Sequence, residues 1–76
     1  MQSQKISCLQ QFLKNQGVNI YPEGIVNGNF SESTKSAVIR FQEKYITEIL
    51  APFGLEKGTG FVGQKTRDKI NQLLER

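Results

Sequence analysis

The stretch "VNGNFSESTKSAVIRFQ" (Val26–Gln42) ends a glycine-rich loop and opens an apolar segment of helical period. "TGFVGQKTRDKINQL" (Thr59–Leu73) has the same shape. Gly28 and Gly60 stand 32 residues apart, and that offset also places Phe30 on Val62, Ser31 on Gly63, Thr34 on Thr66, Val38 on Ile70 and Phe41 on Leu73. Each copy gives a glycine, an apolar residue, a capping position, a threonine, and then apolar residues four and seven further on. Glycine permits a sharp turn. An apolar residue before the cap folds back on the first helical turn as a staple. The cap and the threonine then serve the free amides at the helix start. The phrase therefore specifies an anchored loop feeding a helix, used twice.

A helix precedes the first copy. Ile6, Leu9, Phe12 and Leu13 recur at helical spacing between Ser3, an N-cap candidate, and Gly17, a C-terminal stop. Cys8 lies off this stripe and is expected to be partly covered and structural. Ser31 should cap the second helix by accepting from the amides of Ser33 or Thr34, with Glu32 favourable in the first turn. Thr34, Ala37, Val38, Phe41, Tyr45 and Leu50 would line its inner face, and Pro52 and Gly54 would stop it. Thr66, Ile70, Leu73 and Leu74 would line the third. The expected fold is all-α: a small three-helix bundle, helices about 3–16, 31–50 and 63–75, with two long ordered loops and an internal pseudo-repeat. In the first loop Tyr-Pro-Glu-Gly (Tyr21–Gly24) suits a turn, and Val18, Ile20, Ile25 and Phe30 are the expected apolar anchors. Asn27-Gly28 is compatible with a short hairpin.

The chain has 76 residues and 37% hydrophobic residues, enough for one small domain (1–76) with a thin core. It has one cysteine and no histidine, which excludes zinc-ligand clusters, Cys–His dyads and Ser–His–Asp triads. Its seven carboxylates are scattered. No catalytic residue, metal or cofactor is expected. No apolar run approaches the ~18 residues of a membrane span. Met1–Gln11 lacks the layout of a secretory signal, so a soluble unit without membrane insertion is expected, with the compartment left open. The formal charge of +3 is distributed along the chain and makes no nucleic-acid stripe.

Together, "CLQQFLKNQG", "GNFSESTKSAVIRFQ" and "GTGFVGQKTRDKINQL" resemble the peptidoglycan-binding-like domain family. The matching positions are Leu9, Gln10, Leu13, Gly17, Gly28, Phe30, Thr34, Ala37, Val38, Phe41, Gln42, Gly60, Val62, Gly63 and Thr66, and they span nearly the whole chain. Ser31 stands where the family usually has glycine, Asn27 and Thr59 where aspartate is common, and the second connection is longer than usual. The resemblance implies a non-catalytic module that attaches a partner domain to the bacterial cell wall. The implied partners are peptidoglycan, through glycan or stem peptide, and catalytic or envelope domains of a longer parent chain. The implied location is the cell envelope, periplasmic or extracellular. A monomer that does not bind nucleic acid is expected.

The ligand would need a shallow groove with amides, aromatics and a cation. The candidates are Asn27, Asn29, Thr59 and Phe61 in the loops, Gln42 at the edge of the core stripe, Arg67 beside the second loop, and Ile39 with Ile46. These two isoleucines, seven residues apart, form a strip about 100° from the stripe's centre. Each has a structural alternative: Gln42 as a tie to a loop carbonyl, the asparagines as turn formers, the isoleucines as packing. Two other readings compete with wall binding, a protein-interaction or spacer domain that keeps the fold, and a nucleic-acid-binding helical domain.

Overall fold

In the computed structural model, which describes residues 3–74, the first apolar stripe is α1 (Ser3–Asn15). Ile6, Phe12 and Leu13 are buried on it. Gly17 ends it at φ 109°, its N–H donating to Lys14 O at 3.1 Å. The side chain of Ser3, and with it the capping role expected of that residue, lies outside what the structure describes. Cys8 is exposed, not partly covered. Cys8 lies about 160° round the helix from the buried Ile6 and about 140° from the buried Leu13.

The second helix is shorter than the sequence suggests. α2 runs over Glu32–Lys44 and breaks at Tyr45, whose φ of −112° and ψ of 45° leave the helical region. The chain restarts as a single turn, α3 (Ile46–Ile49), with the Tyr45 carbonyl accepting from Glu48 and Ile49 N–H at 3.1 and 3.0 Å. A 3-10 turn (Ala51–Phe53) follows and closes at Gly54, φ 70°. The adjacent pair Ile49-Leu50 accounts for the break. In a straight helix Leu50 would point about 180° away from Phe41. With the break, both Ile49 and Leu50 are buried.

The N-cap of α2 also departs from expectation. Ser31 has extended backbone and its carbonyl accepts from Lys35 N–H at 2.9 Å, but its hydroxyl makes no bond to a backbone amide. That hydroxyl instead lies 3.1 Å from Ser33 Oγ and 3.4 Å from Thr34 Oγ1.

α4 (Gln64–Leu74) starts with Arg67 N–H on Gly63 O at 3.0 Å; the expected end at residue 75 falls outside the described residues. It packs on the α3 turn, burying Thr66 and half-burying Ile70 and Leu73. Leu74, expected inside, is exposed as the last residue of the helix.

Phe12, Leu13, Ile20, Tyr21, Ala37, Val38, Phe41, Ile49 and Leu50 form the core. The Phe12 and Phe41 rings meet edge to face, centroids 5.4 Å apart. Of the apolar anchors expected in the first loop only Ile20 is buried; Val18, Ile25 and Phe30 are exposed. Tyr21 takes their place, and its hydroxyl donates to Ile25 O at 2.6 Å. Tyr21→Phe should therefore cost about 1 kcal/mol in urea unfolding, the net worth of a hydrogen bond whose acceptor stays near water. Arg40, read as solvated, donates from Nη1 to Ile20 O at 3.1 Å. No strand forms among the described residues. The first loop is held by polar side chains rather than by a hairpin ladder.

Candidate functional site

The repeat is built around two buried glutamines, 32 residues apart. Gln10 is 0% exposed and Gln42 1%. Gln10 Oε1 accepts from the N–H groups of Asn27 (2.9 Å) and Gly28 (3.0 Å), while its Nε2 donates to Asn29 O (2.9 Å) and Thr34 Oγ1 (3.0 Å). Gln42 Oε1 accepts from Thr59 (2.8 Å) and Gly60 (3.0 Å), while its Nε2 donates to Phe61 O (2.8 Å) and Thr66 Oγ1 (3.2 Å). The turns inside the clamps match as well. Asn27 Oδ1 accepts from Asn29 N–H at 3.0 Å, and Thr59 Oγ1 accepts from Phe61 N–H at 3.1 Å. A short polar side chain at this position folds the loop locally. Gly28 and Gly60 share φ near +78° and +77°, a region glycine enters without strain.

A second contact ties the later loop to α2. Gly58 N–H donates to a Glu43 carboxylate oxygen at 2.8 Å. A β-carbon at Gly58 would stand 2.7 Å from Ile39 O, so loop and helix backbones touch.

Between this loop and the α3 and 3-10 turns lies a groove of about 310 Å³. Ile49 and Leu50 lie at its base, Phe53, Leu55 and Phe61 supply further apolar wall, and Thr59, Thr66, Gln64 and Lys65 add polar groups. Phe53 is 63% exposed and Phe61 74%. No carboxylate lines it. A polar depression of about 280 Å³ between α3 and α4 holds Glu48, Lys65, Asp68, Lys69 and Gln72. There the charges engage each other, with Lys69 Nζ 3.8 Å from Glu48 Oε1 and 4.7 Å above the Tyr45 ring.

Of the residues singled out from sequence, the structure brings Gln42, Thr59 and Phe61 together on the groove. Gln42 does so from beneath, with both ends of its amide engaged by the loop. Asn27 and Asn29 belong to the other clamp. Ile39 is half-buried under Gly58, and Ile46 is exposed on the α3 turn. Arg67 is exposed and donates to Gln64 Oε1 at 3.2 Å. Phe53, Leu55, Gln64 and Lys65 were not singled out as site residues. Their one sequence signal is an apolar pair, Phe53 and Leu55, set around Gly54, where helical packing is not available to bury it. Among the described residues no group of acids and cysteine is placed to hold a metal ion. No described helix is long and apolar enough to cross a membrane.

Residues 2–70 match the model of the family described as "putative peptidoglycan binding domain". Comparison with curated proteins and with solved structures gave no match. A family model that covers nearly the whole chain, on a helical frame whose repeated glycines and threonines are tied by twin glutamines, leaves one assignment: the chain belongs to the peptidoglycan binding domain family.

Proposed function

We propose that this chain is a single non-catalytic module that binds peptidoglycan in the groove beside the second loop and so holds a partner domain at the cell wall. The observation that carries the site is that two exposed aromatics, Phe53 and Phe61, line one apolar groove in a chain of the peptidoglycan binding domain family. Large exposed aromatics are costly to leave in water and are common at recognition surfaces. The partner domain would be catalytic or structural, in a longer chain, and would act outside the cytoplasm, in the periplasm or extracellular space. Weak binding suffices, because tethering raises the effective concentration of the attached domain at its polymer. The protein itself acts as a monomer in this reading, without nucleic acid. Asn27 and Thr59, which depart from the family's usual residues, close the turns within their own loops, so these departures serve the fold without removing the groove.

Co-sedimentation with insoluble sacculi tests the reading. Wild-type protein should be retained, and Phe53→Ala/Phe61→Ala should lose most of that retention while its unfolding free energy changes by no more than about 0.5 kcal/mol per exposed site. Equal retention of the double variant would remove the groove from the account. No retention of folded wild type would favour a spacer domain.

A further inference from the structure

The two halves of the repeat differ at one place that bears on the ligand. In the first half the Tyr21 side chain is buried beside Thr34, its hydroxyl on Ile25 O and 3.3 Å from Thr34 Oγ1. The turn that positions it hangs from the Gly17 carbonyl, which accepts from Ile20 and Tyr21 N–H at 3.1 and 3.0 Å. The turn after α2 hangs in the same way from the Tyr45 carbonyl, which accepts from Glu48 and Ile49 N–H at 3.1 and 3.0 Å. The two turns are bonded alike but stand 28 residues apart, against 32 for the clamps, and the second carries Ile49, which has neither ring nor hydroxyl. Beside Thr34 lies a buried phenol, and beside its counterpart Thr66 lies the open groove.

The hydroxyls record the same difference. Thr34 Oγ1 has Gln10, Tyr21 and Ser31 as partners. Thr66, 3% exposed and lining the groove, has Gln42 Nε2 as its one partner among the described residues. In that bond the amide donates, so Thr66 still has a proton to give.

We infer that the groove takes the acetamido group of an N-acetylated amino sugar, set against Thr66 as the Tyr21 phenol is set against Thr34; this rests on the peptidoglycan-binding reading above. The phenol shows what packs well against this threonine of the repeat: a neutral, compact apolar body with a hydrogen-bonding tip. An acetamido group has that form. Its carbonyl accepts from Thr66 Oγ1, its methyl covers Ile49 and Leu50, and the sugar ring lies against Phe53 and Phe61. A stem-peptide carboxylate fits less well. It would lose its water against Ile49 and Leu50, and the one cation of the lining, Lys65, is exposed, where a charge pair contributes little.

The test titrates the full chain, by NMR, with a β-1,4-linked tetramer of N-acetylglucosamine, with cellotetraose, which is neutral and has hydroxyls in place of the acetamido groups, and with a synthetic stem pentapeptide. The expected result is saturable shifts at Ile49–Leu55 and Thr59–Thr66 with the N-acetylated tetramer and binding about tenfold weaker, or weaker still, with cellotetraose, the worth of one well-formed polar contact. Equal binding of the two sugars, shifts centred elsewhere, a response to the pentapeptide alone, or no response would overturn the inference. Sacculus co-sedimentation run in parallel separates the levels. Retention without a tetramer response removes the acetamido assignment and leaves peptidoglycan binding standing, while loss of both removes both.

Discussion

Gln42→Leu should lower the unfolding free energy by about 3 kcal/mol, a large share of the ~4–11 kcal/mol usual for a chain of this length. The side chain makes four bonds shorter than 3.3 Å, to Thr59 N, Gly60 N, Phe61 O and Thr66 Oγ1. Leucine fills similar space but satisfies none of them. Gly60 and Thr66 are buried and cannot recover water without the loop opening, whereas Thr59 and Phe61 are exposed and recover part of their loss. That is why the expected cost stays below the sum of four separate penalties. Gln10→Leu should show a loss of the same size, because its clamp repeats the geometry. Gln11→Leu, at an exposed position where Nε2 meets only Asn15 Oδ1, should change stability by less than about 0.5 kcal/mol. Urea unfolding followed by circular dichroism reads all three. A loss under about 1 kcal/mol for either buried glutamine would show that the loops hold without their clamps.

Gly58→Ala should cost nearly as much, about 3 kcal/mol, by a different mechanism. The new β-carbon would sit 2.7 Å from Ile39 O and 2.8 Å from both Ile39 Cα and Cγ2. Two of these are backbone atoms within α2, so no rotamer change relieves the overlap. The loop must lift, which also lengthens the Gly58 N–H bond to Glu43. Gly54→Ala is the control. Gly54 has open space around it but a φ of 70°, so alanine there meets only the left-handed penalty, about 1–2 kcal/mol. Comparable losses at the two positions would mean that close approach to α2 is not what matters at Gly58.

The helices and the repeat could be read from the chain because both are local. Gly28 with Thr34, and Gly60 with Thr66, sit at fixed spacing from the apolar stripes they introduce. The clamps were half visible. Gln42 could be read as a tie to a loop carbonyl, and the same 32-residue step taken backward lands on Gln10, yet nothing local marks that glutamine as buried. Its burial depends on a loop 17 to 19 residues away wrapping over it. Tyr21 was missed for a related reason. It sits in a turn-forming tetrapeptide, and only tertiary packing brings its ring inside. The break at Tyr45 follows from burying two adjacent residues, Ile49 and Leu50, which helical period alone assigns to different faces. Apolar pattern carries no information on which loop aromatics the fold leaves outside, so Phe61 could be singled out from its flexible loop while Phe53 could not.

Backbone NMR of the full chain titrated with muropeptides released from sacculi by lysozyme tests most directly whether one half of the repeat leaves a groove open for a ligand. The account predicts shifts centred on Ile49–Leu55 and Thr59–Thr66, with Asn27–Thr34, the matching segment of the filled half, unchanged. Shifts centred on Asn27–Thr34, or none at all with the fold intact, would contradict it.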